Sequence, residues 1–304
     1  MELGLGLGLA PAAKVFTIIF LVATMLSIGL KVTVADLASS ARNRGWMARS
    51  LAANFLLIPA IGLLLATVIP MSVDIKIGFL LLAFAPGGPN AIQFTSKTTE
   101  GLPYAATILF ILSFLSVLVS PLMAAAVIPT ETPLVLPYGK VIGYLLLGVI
   151  GPMLVGLAVH RAWPRIAGRL AKPIALVGTV SFVVVVVLLW GLRKEAKAAV
   201  TTSELAAMLL FIVVAMVVGW ALGGPGKETR RVLATASSMR NVALGLMIAV
   251  NSFPDSQVDE AVIAFGALMI PLNMVFTVYG VIQGRRAKRR AGADVSEPVT
   301  KDAR

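Results

Sequence analysis

The sequence contains no cysteine, a single histidine (His160) and few charged residues. Without cysteine there can be no disulfide framework, no thiolate metal site and no thiol nucleophile. One histidine leaves a zinc site without its usual ligands. The metalloprotease pattern HExxH and the hydrolase pattern GxSxG are also absent. We therefore predict that the protein is not an enzyme.

The composition is far more apolar than that of a soluble domain. Hydrophobic residues make up 58% of the 304 residues and charged residues make up 13%, against about 45–50% and about 25% in soluble proteins. The mean hydropathy is +0.93. A single soluble core cannot bury so much apolar surface, so we predict an integral membrane protein surrounded by a lipid bilayer.

Nine apolar stretches are long enough to cross a bilayer. A spanning helix needs about 20 apolar residues, and a helix satisfies its own backbone polar groups in lipid. Eight stretches are free of charge, and the ninth, 232–254, contains Arg240 as its one charge. The eight are 15–30, 50–73, 77–96, 101–130, 141–159, 173–192, 205–226 and 261–284. The sequence therefore predicts an all-α polytopic membrane protein with nine transmembrane helices.

Basic residues are divided unequally between the two sides of this predicted bundle. With the N-terminus outside, 19 of the 26 lysines and arginines fall on the inner side and six on the outer side. Because this matches the positive-inside rule, we predict a plasma (inner) membrane protein with a cytoplasmic C-terminus. The expected parts are a flexible N-terminus (1–13), a membrane domain (14–284) and a disordered basic cytoplasmic tail (285–304). The net charge of +12 is explained by this excess of basic residues on the inner side, so we expect no nucleic-acid partner. We also expect no obligate protein partner.

The third span is interrupted by Pro86, Gly87, Gly88 and Pro89. Two prolines flanking two glycines cannot continue a regular helix, because proline removes a backbone donor and clashes with the preceding turn. Unwound backbone at membrane depth is tolerated only where it is buried in protein or lines a wet cavity. In transporters such breaks form the substrate and ion sites. The interruption therefore favours a functional break over a kink that serves packing alone.

The eighth span carries Arg240 near its centre, directly before Asn241. None of the nine stretches contains an acidic residue that could pair with it. An intramembrane arginine costs about 2.5–3.5 kcal/mol on insertion scales and is a functional-site candidate by default. We predict that its guanidinium binds the carboxylate or sulfonate of an organic anion or substitutes for a coupling cation. A structural role, in which it caps carbonyls released by the break at Pro86, is compatible with both.

The same order of features occurs twice along the chain. A broken span followed by a span containing Pro-Leu is found at Pro121-Leu122 and again at Pro271-Leu272. The two sets lie five spans apart, an odd number, so they would be inverted repeats across the membrane. Paired interrupted helices in inverted halves indicate a transporter site.

At these residues the chain resembles the bile acid:sodium symporter (BASS) family. The resemblance rests on Ala85-Pro86-Gly87-Gly88, on Ser120-Pro121-Leu122 and on Met239-Arg240-Asn241, and it extends over nearly the whole chain. It implies a core domain in which two unwound helices (about 77–97 and 229–250) cross. It also implies a panel domain formed by spans 1, 5 and 6, and transport of an organic anion with sodium by alternating access.

The sequence departs from the family pattern where sodium would bind. Sodium-coupled members carry a glutamate and then Gln-Asn in the second crossing motif, whereas Ala236 and Arg240 stand at the first two positions and only Asn241 matches. In the first motif, Asn90 is not in register with the family's asparagine. A guanidinium 4 Å from a sodium ion would repel it by about 4 kcal/mol at an effective dielectric of 20. We therefore expect at least one sodium site to be lost.

The sequence thus predicts a secondary-active transporter of a small organic anion with degraded sodium sites and no cofactor other than sodium. A sodium-independent uniporter or exporter, and a channel or receptor, are the alternatives. The absence of cysteine disfavours an arsenite exporter, and the lack of acidic residues in the spans disfavours direct proton coupling. Candidate substrate-binding residues are Pro86, Gly87, Gly88, Asn90, Gln93, Arg240, Asn241 and Asn273. Candidate ion-binding residues are Ser113, Ser116, Ser237, Ser238 and Met239.

Overall fold

The computed structural model describes residues 2–88, 91, 102–127, 143, 146–192, 200–253 and 256–294. Within these ranges the chain forms helices and no β-strand. The α-helices are α1 (Glu2–Gly29), α2 (Val34–Arg42), α3 (Arg44–Ala52), α4 (Ile58–Val68), α5 (Val73–Ala83), α6 (Leu102–Val127), α7 (Gly151–Ala162), α8 (Pro164–Leu192), α9 (Thr202–Leu222), α10 (Lys227–Ser238), α11 (Val242–Ser252) and α12 (Val258–Asp294). Two π-helical turns, Ala53–Leu57 and Leu146–Ile150, lead directly into α4 and α7.

Seven helical segments are long and apolar enough to cross a membrane. They are Pro11–Gly29, Arg44–Val68, Thr107–Ala124, Pro164–Val185, Thr202–Leu222, Lys227–Val250 and Val258–Gln283. The two further spans that the sequence predicts, the third and the fifth, each run into residues outside the described ranges. Their described parts are α5 and the shorter apolar segment Leu146–Ala162.

Helices at both ends of the chain extend beyond the apolar stretches. α1 begins at Glu2, within the segment that the sequence analysis expects to be a flexible N-terminus. α12 continues through Asp294, so the first ten residues of the expected disordered tail are helical. The alanine, arginine and lysine residues there have high helix propensity, and the helix continues from a long apolar segment that has already nucleated it.

The first helix packs closely against α7 and α8. A Cβ atom at Gly156 would lie 2.6 Å from the carbonyl oxygen of Leu26, so the backbones of α1 and α7 touch. The hydroxyl of Ser27 donates to the carbonyl oxygen of Ala171 in α8 at 3.1 Å. Small residues allow this close approach between helices in lipid. These three helices come from spans 1, 5 and 6, which the resemblance assigns to the panel domain.

A second group of helices packs around three phenylalanine rings. The ring centroids of Phe79 (α5) and Phe211 (α9) lie 5.2 Å apart, and Phe265 (α12) lies 5.7 Å from Phe211. Gly219 of α9 faces the backbone of α10, where a Cβ atom would lie 2.7 Å from Ala234 Cα. The sequence Gly219–Gly223 is thus a GxxxG packing contact, as expected for such spacing.

The connections of the second group are joined at one end of the bundle by buried and half-buried hydrogen bonds. Glu204 lies in the first turn of α9 and accepts from the backbone N–H groups of Thr201 (2.7 Å) and Ser72 (2.9 Å). Glu204 lies directly before the charge-free stretch 205–226, so α9 begins before that stretch does. Asp74 similarly accepts from the N–H of Gln257 at 2.8 Å.

The basic connections meet at the other end. Their contacts are Leu30 O with His160 Nδ1 (2.6 Å), Gly280 O with Arg231 Nη2 (2.9 Å), and Gly224 beside the side chains of Trp46 and Arg49. The span Arg44–Val68, 25 residues or about 37 Å of helix, separates this end from Ser72. Trp46, Arg49 and Gly224 therefore lie at the end of the bundle away from Ser72.

Candidate functional site

Both α5 and α10 end in the interior of the second helix group. α5 ends before the first break (residues 84–88), and α10 ends before the second break (residues 239–241), after which α11 begins. The second break lies within Lys227–Val250, and the most apolar 18 residues of this segment are all buried. The first break contains Pro86, Gly87 and Gly88, and the second contains Arg240 and Asn241.

The two breaks lie against each other and are joined by backbone hydrogen bonds; we call this contact the crossing. The N–H of Gly88 donates to the carbonyl oxygen of Met239 at 3.0 Å, and the N–H of Asn241 donates to that of Ala85 at 2.8 Å. The unwound backbone thus satisfies part of its hydrogen-bonding need within the protein, as burial at membrane depth requires. That the third and eighth spans cross as whole helices, as the resemblance implies, stays a prediction.

Glycine is required at both positions of the first break. Gly87 has a φ of +88°, a conformation that residues with a side chain rarely adopt, and its Cβ would lie 2.6 Å from Ser113 N. A Cβ at Gly88 would lie 2.5 Å from the carbonyl oxygen of Arg240 and 2.6 Å from that of Met239. The two breaks can therefore approach this closely only because Gly88 has no side chain.

The guanidinium of Arg240 is fully buried and donates to protein oxygens. Nε donates to Leu82 O at 2.9 Å and Nη2 to Ala83 O at 2.5 Å, both in the last turn of α5. Nη1 contacts Asn54 Oδ1 at 3.2 Å and Ser237 O at 3.3 Å. Four of the five N–H groups of the guanidinium are used in this way. Binding of a carboxylate, which the sequence predicts, uses two parallel hydrogen bonds to a guanidinium and would have to replace bonds that the protein makes in this conformation.

Asn241 is the N-cap of α11 and is fully buried. Its Oδ1 accepts from the N–H of Leu244 at 3.1 Å, which fixes the orientation of the amide because only the oxygen can accept. The Nδ2 atom has no hydrogen-bond partner in the described part of the chain. A buried amide that lacks an acceptor costs free energy, so this donor is available to a ligand.

Serines on α6 hold the first break in position. Ser113 donates to Gly87 O at 2.8 Å, and Ser120 donates to Phe84 O at 2.6 Å. Ser116 donates to the backbone of its own helix, at Ser113 O. These hydroxyls use their hydrogen atoms in the protein and keep oxygen lone pairs, so their expected role as ion ligands stays a prediction.

The second break is held in a similar way from α12. Ser238 donates to Asn273 Oδ1 at 2.8 Å, and Asn273 Nδ2 donates to Met269 O at 2.9 Å. Met239 contributes its carbonyl oxygen to the crossing. Asn273 therefore reaches the crossing through Ser238, and not through either break itself.

The structure brings together most of the candidate residues and adds one that the sequence analysis missed. Asn90 and Gln93 lie outside the described residues. The added residue is Asn54, which donates to Ser237 Oγ at 3.0 Å and to Ser50 O at 3.0 Å while it accepts from Arg240. Its signal in the sequence is an amide side chain inside a charge-free span.

The chain is similar in sequence to a known protein family and to a plant protein. The family model described as the sodium bile acid symporter family matches residues 18–222. A protein described as probable sodium/metabolite cotransporter BASS2, chloroplastic, from Oryza sativa subsp. japonica, is 24% identical over 236 residues, covering 75% of this chain and 55% of the relative. The chain therefore spans about half the length of the curated relative that it matches.

Proposed function

Because this chain belongs to the sodium bile acid symporter family, we propose that it is a secondary-active transporter of a small organic anion that works by alternating access. It would act in the plasma (inner) membrane with nine spans, two of which would include α5 and Leu146–Ala162. Its two broken helices would belong to inverted repeats. The substrate would bind at the crossing of the two breaks.

One observation carries the anion assignment: the unpartnered Nδ2 of Asn241 lies at the N-terminus of α11. Helix N-termini carry about half a positive charge and unpaired N–H groups, so they favour anions. The amide of Asn241 adds a donor at the same place. Because Asn241 is fully buried here, alternating access would expose this donor to one side of the membrane at a time.

The two sides of the crossing differ in electrostatic character. The C-terminal ends of α5 and α10 face the guanidinium of Arg240, whereas the N-terminal end of α11 carries Asn241. Discontinuous helices in transporters use C-terminal ends for cations and N-terminal ends for anions. This division supports an anion next to Asn241. Arg240 would then act on the anion through its charge and through the shape of the crossing.

We expect weak or absent sodium dependence of transport. A guanidinium already takes up carbonyl oxygens at the crossing, and it would repel a sodium ion placed beside it. A residual site built from neutral oxygens of Ser113, Ser116, Ser237 and Asn241 would bind at most weakly. The same protein can therefore belong to a symporter family and move its substrate with little help from sodium.

The test is a screen of carboxylates and sulfonates by thermal shift on the purified protein, followed by flux into proteoliposomes with sodium or choline outside. We expect at least one anion to raise the melting temperature and to be transported at a similar rate in both salts. Transport that rises with the square of the sodium concentration would contradict weak coupling, because it requires two intact sodium sites. Transport of neutral solutes alone would contradict the anion assignment.

The proposed orientation can be tested because the native chain has no cysteine. We expect Ser203→Cys, at the exposed start of α9, to react with an impermeant thiol reagent added outside intact cells. Gly45→Cys, at the exposed start of α3 where a Cβ has no neighbour within 4 Å, should react only after the membrane is opened. The physical reason is the excess of basic residues on the Gly45 side. The opposite labelling pattern would reverse the topology.

A further inference from the structure

We infer that the oxygen atoms around the Arg240 guanidinium form a monovalent-cation site that the protein fills with its own side chain. No acidic side chain is among the hydrogen-bond partners of this arginine. Its four acceptors are three backbone carbonyl oxygens and one amide oxygen, which belong to Leu82, Ala83, Ser237 and Asn54. We call this set of oxygens the Arg240 cage.

The charge of the guanidinium is balanced by two helix ends. Leu82 and Ala83 are the last two residues of α5, and Ser237 lies in the last turn of α10. Each helix C-terminus carries about half a negative charge on carbonyls that have no partner within the helix. Two such ends facing one guanidinium therefore offset about one positive charge. This explains how an arginine without an acidic partner is held in a fully buried position.

The chemistry of the cage selects a monovalent cation. Neutral carbonyl oxygens replace the hydration shell of monovalent ions in selective channels. Calcium instead takes several oxygens that include carboxylates, and magnesium binds through carboxylates and retained waters. The cage has no carboxylate, so a divalent ion would bring more charge than the two helix ends can offset.

The cage is also held in place without the arginine. Asn54 is fixed by its two donated bonds to Ser50 O and Ser237 Oγ, and its Oδ1 is thereby directed at the guanidinium. Phe84, directly after α5, is held through its carbonyl by Ser120. When the guanidinium is removed, Ala83 O loses the Nη2 donor and Leu82 O keeps its bond from the N–H of Ala85 but loses that from Nε. Losing a donor in a buried place is costly. A sodium ion or a free guanidinium ion can then enter and restore the contacts.

The experiment compares thermal unfolding of purified wild type, Arg240→Ala, Arg240→Gln and Arg240→Lys without added anion. Each is measured in choline chloride, in sodium chloride and in choline chloride with a low millimolar concentration of guanidinium chloride. We expect Arg240→Ala and Arg240→Gln to melt below wild type in choline. Sodium or guanidinium at about ten times its Kd should raise their melting temperature by about 3 °C more than that of wild type. Arg240→Lys should remain close to wild type in choline, since its ammonium keeps a cation in the cage.

Arg231→Ala is the matched control, because Arg231 also donates to a backbone carbonyl, that of Gly280, but lies half-buried near the surface. It should show no cation response beyond that of wild type. The inference is overturned if Arg240→Ala and Arg240→Gln respond no more than wild type, or if Arg231→Ala responds equally. If neither of the first two variants survives extraction, Arg240→Lys decides: stability near wild type supports the inference, and instability overturns it.

A consequence for transport rests on the proposed function: Arg240→Gln should become more dependent on sodium than wild type. The two ideas fail separately. Cation-dependent stability without any anion flux would support the cage and refute the proposed transport function. Anion flux with no cation response in any Arg240 variant would support the proposed transport function and refute the cage.

Discussion

Replacing Gly88 with alanine is expected to abolish transport while the protein still inserts into the membrane. The added Cβ would lie 2.5 and 2.6 Å from the carbonyl oxygens of Arg240 and Met239. Both are backbone atoms, so no side-chain rotation can relieve the clash. The breaks would have to separate, and the bond from Gly88 N to Met239 O would be lost. Overpacking of this kind costs about 1–3 kcal/mol, and it falls on the contact that positions the site.

The measurement is uptake of the anion identified in the screen, together with the amount of folded protein after extraction. Gly168→Ala is the matched control, because Gly168 lies inside α8 and a Cβ there has no neighbour within 4 Å. Alanine inside a helix is favoured over glycine by about 0.5–1 kcal/mol, so this control should be at least as stable as wild type and fully active. Adding Pro86→Ala to Gly88→Ala should not restore activity. Normal flux in the double variant would show that the first break is only a kink.

Replacing Asn241 with aspartate is expected to reduce anion affinity at least tenfold while α11 stays capped. Aspartate keeps the oxygen that accepts from the N–H of Leu244, and it is as good an N-cap as asparagine. It removes the Nδ2 donor and places a negative charge at the anion site. A hydrogen bond to a charged group contributes about 1.5–3 kcal/mol, so its loss alone corresponds to about a 10- to 150-fold loss of affinity.

Two further variants separate the effect of the donor from other effects. Asn241→Ser retains a capping oxygen without adding charge, so it should lose less affinity than Asn241→Asp. Asn43→Asp is the same substitution at another N-cap, where Asn43 is exposed and accepts from Trp46 N at 3.2 Å at the start of α3. It should bind the anion like wild type. Unchanged affinity of Asn241→Asp would refute the anion site at α11, because a carboxylate cannot replace the lost donor.

Much of the architecture follows from the sequence because it depends on local properties of the chain. Hydropathy over about 20 residues determines whether a segment is stable in lipid, and this gave the membrane class and the position of most spans. The break at Pro86 and Gly87 is equally local, since proline cannot donate and a φ of +88° favours glycine. The helix ends were less well predicted: α12 continues well beyond its apolar stretch, because helix propensity and hydropathy respond to different residues.

Only the tertiary structure decided which groups the guanidinium of Arg240 binds. The sequence shows one charge inside the apolar stretches and no acid among them, and this pattern alone indicates an external anion as readily as an internal partner. Leu82 and Asn54 are 158 and 186 residues away in the chain, and a backbone carbonyl carries no signal in its residue type. The negative ends of α5 and α10 become a counter-charge only when the crossing brings them together. That arrangement depends on the packing of the glycines at the breaks and on the serines that hold them, so the sequence determined that a charge is buried and the fold determined what it binds.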